Sequence, residues 1–196
     1  LWIGGEELHN NHHAFPSSAR FSMRRWELDI GWLAIGALQR LGLATVLRVA
    51  PSLDVRPTIA VPDADTLKAL LSHRFQAMTD YHRNVLKPAL ADEAAVAGAK
   101  LRALLPRRLR QGLANEGRWL QPDKRQQLQR WVEQRPRIAE LVAYRARLAQ
   151  LLEARGHDAA ERLHQLQAWC QEAEASGIAG LQAYAARLKG YRLVGA

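Results

Sequence analysis

Apolar residues recur at helical spacing along most of this sequence. The first such pattern covers residues 26–47, and its apolar stripe consists of Trp26, Ile30, Leu33, Ala37 and Leu41. A stripe of this period predicts one amphipathic helix. Gly42 follows the stripe directly and is a favourable position for the helix to stop.

Residues 63–196 carry one helical pattern after another, separated by proline, glycine and helix-capping residues. In chain order, the predicted helices run from Asp63 or Asp65 to Pro88, from Asp92 to Pro106, from Pro122 to Pro136, from Pro136 to Gly156, from Asp158 to Gly177, and onward from Gly177. No stretch shows the period-two alternation of a half-buried strand. The pattern therefore predicts an all-α fold, with an irregular N-terminal segment, an amphipathic helix and a multi-helix tail.

Three prolines among short polar residues mark a boundary in the chain. Pro51, Pro57 and Pro62 disfavour both a helix and a regular strand. We therefore predict a proline-rich linker over 51–62. It separates the end of one domain, at 1–50, from a basic α-helical extension, at 63–196.

The composition is that of a globular protein without a bilayer-spanning helix. Of the 196 residues, 48% are apolar and 24% are charged. In the most apolar region the charge-free stretch runs only from Ile30 to Gln39, whereas a span needs about 20 such residues. The single cysteine, Cys170, excludes a disulfide framework. Leu1 is not an initiator and no secretory leader precedes the first motif, so we expect this chain to be cut from a longer protein.

Positive charge is concentrated in one part of the chain. The formal net charge is +9, and residues 100–137 alone hold eleven bases against three acids. Such a stretch attracts a polyanion, which is either nucleic acid or an anionic membrane surface. A solvated arginine-rich helical face is the alternative interpretation of the same pattern.

The densest cluster of metal-ligating side chains is His9-Asn10-Asn11-His12-His13. On a helical turn, positions i, i+3 and i+4 share a face, so the three imidazoles can point into one site. Imidazole suits iron, zinc, copper and nickel, and the pattern does not choose among them. The side chains predicted to orient the ligands from behind are Glu6, Glu7, Asn10 and Asn11.

The stretch from Gly5 to Phe21, followed by Trp26-Glu27-Leu28-Asp29, resembles the third histidine box of the membrane-bound acyl-CoA (stearoyl-type) fatty acid desaturases. Its string HNNHHAFPSSAR is long and specific. The resemblance covers residues 1 to about 50, and a bacterial branch of that family carries a helical C-terminal extension. In that family an aromatic residue usually stands in place of Leu8, and a glycine is common in place of Glu7.

The resemblance implies a di-iron, O₂-dependent enzyme that introduces a double bond into an acyl chain. It implies that His9, His12 and His13 are iron ligands, and that two further histidine boxes and the transmembrane helices lie outside this sequence. The implied partners are a fatty acyl-CoA or lipid acyl chain, O₂, and an electron donor of ferredoxin or cytochrome type with its reductase. The parent protein would lie in a bacterial membrane, with this segment on the cytoplasmic side. This chain alone is expected to be inactive.

Three arginines near the box are predicted to meet a phosphorylated or coenzyme-bearing substrate: Arg20, Arg24 and Arg25. A rival interpretation makes the chain a basic helical module that binds nucleic acid, because residues 166–178 resemble the C-terminal helices of some transposases. No base-reading helix-turn-helix spacing and no acidic catalytic triad accompany that likeness, so nucleic acid is the less favoured partner.

The remaining chemistry-bearing residues are expected to be structural. We expect Trp119, Trp131 and Trp169 to anchor the core, because they fall at apolar helical positions. Cys170 is expected to pack as a small apolar residue. His73 and His82 are expected at the surface.

Overall fold

The computed structural model describes residues 18–22, 28–56, 59–115, 117–153 and 158–194. Its elements, in chain order, are α1 (Ile30–Arg40), β1 (Ser52–Val55), α2 (Ala64–Ser72), α3 (Arg74–Tyr81), a π-helical turn (His82–Leu86), α4 (Lys87–Val96), α5 (Leu101–Leu104), α6 (Arg107–Ala114), α7 (Pro122–Glu133), α8 (Pro136–Glu153), α9 (Ala159–Ala175), α10 (Ala179–Lys189) and β2 (Tyr191–Val194). The predicted mostly helical fold is confirmed. Among the described residues, every helix is too short or too polar to cross a bilayer.

The described residues fall into two compact units. The first holds the residues up to Asp54 together with those from Arg192 onward, and the second is Val55–Tyr191. Strands β1 and β2 pair in a two-stranded sheet, and the Arg192 guanidinium binds the Asp54 carboxylate at 2.9 Å. The expectation that the chain has no strand was therefore wrong. Each strand has only four residues. Ser52–Val55 does alternate polar and apolar residues, but four residues are the shortest run that indicates a strand.

Helix α1 is shorter than the pattern predicted and ends in a Schellman motif. The Gly42 N–H donates to the Gln39 carbonyl (3.0 Å) and the Leu43 N–H to the Leu38 carbonyl (2.9 Å). Gly42 has φ of +71°, a conformation that favours glycine. The predicted stop at Gly42 is confirmed, whereas the extension of the helix to residue 47 was wrong.

Pro88 does not end a helix, contrary to the prediction. The five residues before Lys87 form a π-helical turn, in which the Lys87 N–H bonds the His82 carbonyl. Pro88 then lies in the first turn of α4, directly after the π-helical turn. The helical path therefore continues to Val96, and Asp92 lies within α4 and begins no helix of its own.

The core of the second unit is built around buried aromatic side chains. The Tyr184 ring packs edge-on against Tyr81 (centroids 5.0 Å apart) and against Trp169 (6.2 Å). Each polar tip is satisfied by a backbone carbonyl: the Tyr81 hydroxyl donates to Leu141 (2.7 Å), the Tyr184 hydroxyl to Ala77 (2.9 Å) and the Trp169 N–H to the Tyr144 carbonyl (3.0 Å). These rings are therefore buried without leaving a polar atom unpaired.

Four of the structural expectations can now be compared with the structure. Trp169 and Cys170 are buried in α9, as predicted, and burial raises the pKa of the Cys170 thiol to about 12. Trp119 was wrongly placed in the core, because it lies in the turn after α6 with 85% of its surface exposed. His82 was wrongly placed at the surface, because it is half-buried; burial and the nearby charges of Arg145 and Lys87 lower its pKa.

A cluster of polar side chains connects the start of the second unit with its end. The Arg56 guanidinium binds the Asp63 carboxylate through two hydrogen bonds of 2.8 and 2.7 Å, which holds the pKa of Asp63 well below its usual range. The buried Thr66 hydroxyl donates to the Lys189 carbonyl at 2.8 Å. Gly190 lies against the Arg56 carbonyl so closely that a Cβ would overlap it. Residues at the start of the second unit thus contact residues at its end.

Candidate metal centre and the segment that follows it

Most of the predicted site lies outside the described residues. The residues in question are His9, His12, His13, Glu6, Glu7, Asn10, Asn11, Arg24 and Arg25. Arg20 is described, and so is the segment Ser18–Ser22 that follows the box. Within the part of the chain that the structure describes, no group of three His, Cys, Asp or Glu side chains is arranged to hold a metal. The metal assignment at His9, His12 and His13 therefore stays a prediction.

The backbone immediately after the box is fixed by the buried hydroxyl of Ser18. This Oγ donates to the Arg20 carbonyl (2.7 Å) and accepts from the backbone N–H groups of Arg20 (3.2 Å) and Ala50 (2.9 Å). The Ala19 N–H adds a bond to the Arg48 carbonyl (3.0 Å). The segment is thus hydrogen-bonded to the chain that leads out of α1.

The carboxylate of Asp29 joins the same segment to the start of α1. Its Oδ2 accepts from the backbone N–H groups of Phe21 (2.7 Å) and Ser22 (2.9 Å), and its Oδ1 accepts from that of Trp32 (2.8 Å). Asp29 is buried. One side chain therefore caps the helix and also holds the backbone of Phe21 and Ser22 beside its first turn.

Sequence reasoning missed this role of Asp29. The sequence does carry a signal for it. Asp29 directly precedes Ile30, the first residue of α1, and aspartate is a favoured N-cap residue. The pattern was taken to begin at Trp26, and an N-cap at position 29 was therefore overlooked. Residues 23–27 are outside the described residues.

We expect Asp29→Asn to remove one function of this carboxylate, the bonds to Phe21 and Ser22, and to keep the other, the cap on Trp32. An amide oxygen can still cap Trp32, but the amide nitrogen cannot accept from Phe21 and Ser22. Amide hydrogen exchange should therefore accelerate at Phe21 and Ser22 while Trp32 stays protected, and Asp29→Ala should expose all three amides at a cost of about 2 kcal/mol. Unchanged protection at Phe21 in both variants would contradict the assigned role.

Arg20 is the one predicted substrate-binding arginine within the described residues. Its side chain is half-buried, and its Nε–H donates to the Ser22 hydroxyl at 3.0 Å. This bond holds the Arg20 guanidinium next to Ser22. The prediction that Arg20 meets substrate is not tested by this arrangement.

Helix α1 and the chain after it leave their apolar side chains uncovered. No residue of α1 is buried, and the most exposed large side chains nearby are Leu41 (71%), Leu43 (72%) and Leu47 (94%). A shallow, open depression on α1 is lined by Trp32, Leu33, Gly36, Gln39 and Arg40. A run of uncovered leucines on one small unit is typical of a surface that packs against something else.

Curated fatty acid desaturases match part of the chain. The sn-1 stearoyl-lipid 9-desaturase of Anabaena variabilis is 52% identical over 48 residues, which are 24% of this chain and 18% of that protein. The icosanoyl-CoA 5-desaturase of Limnanthes douglasii is 51% identical over 45 residues, 23% of this chain and 13% of that protein. The Delta-9 acyl-lipid desaturase 1 of Arabidopsis thaliana is 46% identical over 57 residues, 29% and 18% of the two chains. Part of this chain is related to the fatty acid desaturases.

The matched lengths agree with residues 1–50, which we now call the desaturase segment. The predicted resemblance to desaturases is thus confirmed. The chain spans less than a fifth of the length of these relatives. No protein-family model matches the chain, and no solved structure matches it.

Proposed function

We propose that the desaturase segment supplies part of the iron site of an O₂-dependent desaturase that introduces a double bond into an acyl chain. The observation that carries this proposal is the identity of about half of the aligned residues to desaturases, together with the string HNNHHAFPSSAR at 9–20. The names of the relatives include both acyl-CoA and acyl-lipid desaturases. The acyl chain of the substrate is therefore proposed to be carried either by coenzyme A or by a lipid.

The donor set of the box fits iron. Three imidazoles spaced i, i+3 and i+4 offer neutral nitrogen ligands on one face of a turn. We propose that His9, His12 and His13 hold iron, and that Glu6, Glu7, Asn10 and Asn11 orient the rings. When bound, the two irons would supply the redox chemistry that uses O₂ to oxidise a C–H bond, with electrons from a ferredoxin- or cytochrome-type donor and its reductase.

The hydrogen bonds in the described part of the desaturase segment support a structural role for it, which is to hold the iron ligands in place. Asp29 and Ser18 hold the backbone of residues 18–22, at hydrogen-bond distances of 2.7–3.2 Å, and a rigid support keeps metal ligands in place. The uncovered leucines of α1 and its following loop suit contact with the rest of a catalytic domain at a membrane surface. We therefore propose a membrane location for the parent protein, with this segment on the cytoplasmic side of a bacterial cell.

The arginines of the segment are proposed as contacts for a negatively charged substrate group. Arg20, Arg24 and Arg25 follow the box within twelve residues of His13. A guanidinium binds phosphate bidentately, so these side chains suit a phosphorylated or coenzyme-bearing substrate.

We expect the isolated 196-residue chain to bind less than two irons and to consume no O₂ with an acyl substrate. Three neighbouring imidazoles are too few to complete two iron coordination spheres. The measurement is iron content after anaerobic loading, followed by an oxygen-electrode assay. Tight binding of two irons by this chain alone would contradict the proposal that further ligands are needed.

A segment exchange tests the proposed function directly. Residues 5–49 would replace the corresponding stretch of the Anabaena relative, which is 52% identical to this chain in the matched region. If the segment serves as a third histidine box, cells that express the hybrid will accumulate unsaturated lipid. A hybrid that reaches the membrane at the normal level but forms no double bond would refute the proposal.

A further inference from the structure

A positively charged surface lies on α5, α6 and the turn that follows them. It holds five bases, of which Lys100, Arg102, Arg107 and Arg108 are exposed and Arg110 is half-buried. Between residues 100 and 115 the sequence contains no acidic side chain. We call these five bases, together with the exposed Trp119, the α5–α6 surface.

Helix α6 separates its basic and apolar sides sharply. Leu109, Gly112 and Leu113 are buried, and Gly112 lies against the side chains of Leu120 and Leu128. At 100° per residue, Arg107 falls opposite that buried face, with Arg108 and Arg110 on its two flanks. The outward side of the helix therefore carries three arginines, beside the exposed Gln111.

The charge of this surface is not neutralised within the described part of the chain. The acids of the neighbouring α4 are already engaged, because Asp92 lies 3.6 Å from Arg137 and Glu93 lies 3.9 Å from Arg135. None of the ion pairs found among the described residues includes Lys100, Arg102, Arg107 or Arg108. Four bases within nine residues of the sequence are thus exposed and outside these ion pairs.

Exposed apolar side chains flank these charges. Trp119 is 85% exposed, and its turn folds back onto α6, since the Gly117 N–H bonds the Gly112 carbonyl at 2.8 Å. Val96, at the end of α4, is 89% exposed and precedes Lys100 by four residues. Exposed tryptophan and arginine side chains are typical of protein surfaces that lie at the headgroup level of a bilayer.

We propose that the α5–α6 surface binds the anionic phospholipid surface of a membrane. The guanidinium and ammonium groups would meet lipid phosphates, while Trp119 and Val96 enter the boundary between headgroups and acyl chains. Lipid suits the surface better than nucleic acid does, because an aliphatic side chain such as Val96 gains from a bilayer but cannot stack on a base. The proposal uses none of the histidines and does not depend on the desaturase assignment.

The experiment is co-sedimentation of the 196-residue chain with vesicles. Equal parts of phosphatidylglycerol and phosphatidylcholine form the anionic vesicles, and phosphatidylcholine alone forms the neutral ones. We expect binding to the anionic vesicles that weakens with salt, and little binding to the neutral ones. The triple variant Arg102→Gln, Arg107→Gln, Arg108→Gln should bind anionic vesicles roughly a hundredfold more weakly, at about fivefold per base.

A matched variant separates this surface from the net charge of the chain. Lys68→Gln, Arg83→Gln and Arg187→Gln remove three exposed bases from α2, the π-helical turn and α10, and should weaken binding less than about fivefold. Trp119→Ser should lower binding further at high salt, when attraction between charges is screened. Circular dichroism checks that every variant is folded.

Three results would overturn the proposal. Equal loss of binding in the two triple variants would make net charge the cause. Binding to neutral vesicles as strong as to anionic ones would point to the exposed leucines around α1. Tighter retention of double-stranded DNA than of anionic vesicles at the same salt concentration would identify nucleic acid as the ligand.

Discussion

Replacing His12 with alanine in the hybrid desaturase described above is expected to abolish double-bond formation. The loss should exceed about a hundredfold, because even the removal of groups that only orient metal ligands costs 10- to 100-fold in metal affinity or activity. The reason is that the variant lacks one imidazole of the proposed iron set, His9, His12 and His13. The measurement is the ratio of unsaturated to saturated acyl chains by gas chromatography, together with the iron content of the purified hybrid.

The control for this prediction is Thr45→Ala in the same hybrid. Thr45 is exposed in the loop after α1 and belongs to the exchanged segment, so activity should stay close to that of the unmodified hybrid. Both variants must reach the membrane at equal levels. A His12→Ala hybrid that still forms the double bond and still holds its iron would show that His12 is not a ligand.

The second large effect is expected in the core of the helical extension. Tyr184→Ala should lower the free energy of unfolding of the 196-residue chain by about 4 kcal/mol, because it removes a buried ring and leaves a cavity. The ring lies 5.0 Å from Tyr81 and 6.2 Å from Trp169 between centroids. Tyr184→Phe keeps the ring and loses only the bond to the Ala77 carbonyl, which should cost about 1 kcal/mol. Urea denaturation followed by circular dichroism measures both values.

Trp119→Ala is the matched control for the core substitution. It also removes a large aromatic ring, but that ring is 85% exposed, so the free energy of unfolding should change by no more than about 0.5 kcal/mol. Equal shifts for Tyr184→Ala and Trp119→Ala would show that the packing described for the second unit is wrong.

The rival interpretation of the chain as a transposase-like module gains little from the structure. Residues 166–178 carried that likeness, and most of them lie in α9. Leu166, Trp169 and Cys170 are buried there, so this face of the helix packs in the core. The likeness thus rests in good part on residues that hold the unit together, a requirement shared by many helical proteins.

The sequence by itself determined those features that depend on neighbouring residues. The side chain of Asp63 caps α2 by accepting from the Thr66 N–H, Pro122 and Pro136 open α7 and α8, and Gly177 takes φ of +73° after α9. Each is a local effect of capping chemistry or backbone geometry, so the local sequence predicts it. The relation to desaturases could likewise be predicted from the sequence, because the residues that carry it, such as 9–20, are contiguous.

Only the tertiary structure decided the features that join distant residues. The pairing of β1 with β2 and the bond between Thr66 and the Lys189 carbonyl connect positions more than a hundred residues apart. The position of Trp119 in solvent and the passage of the helix through Pro88 depend on what packs around them. No local pattern encodes these outcomes, because each is settled by the burial and hydrogen bonding of groups that meet only once the chain has folded.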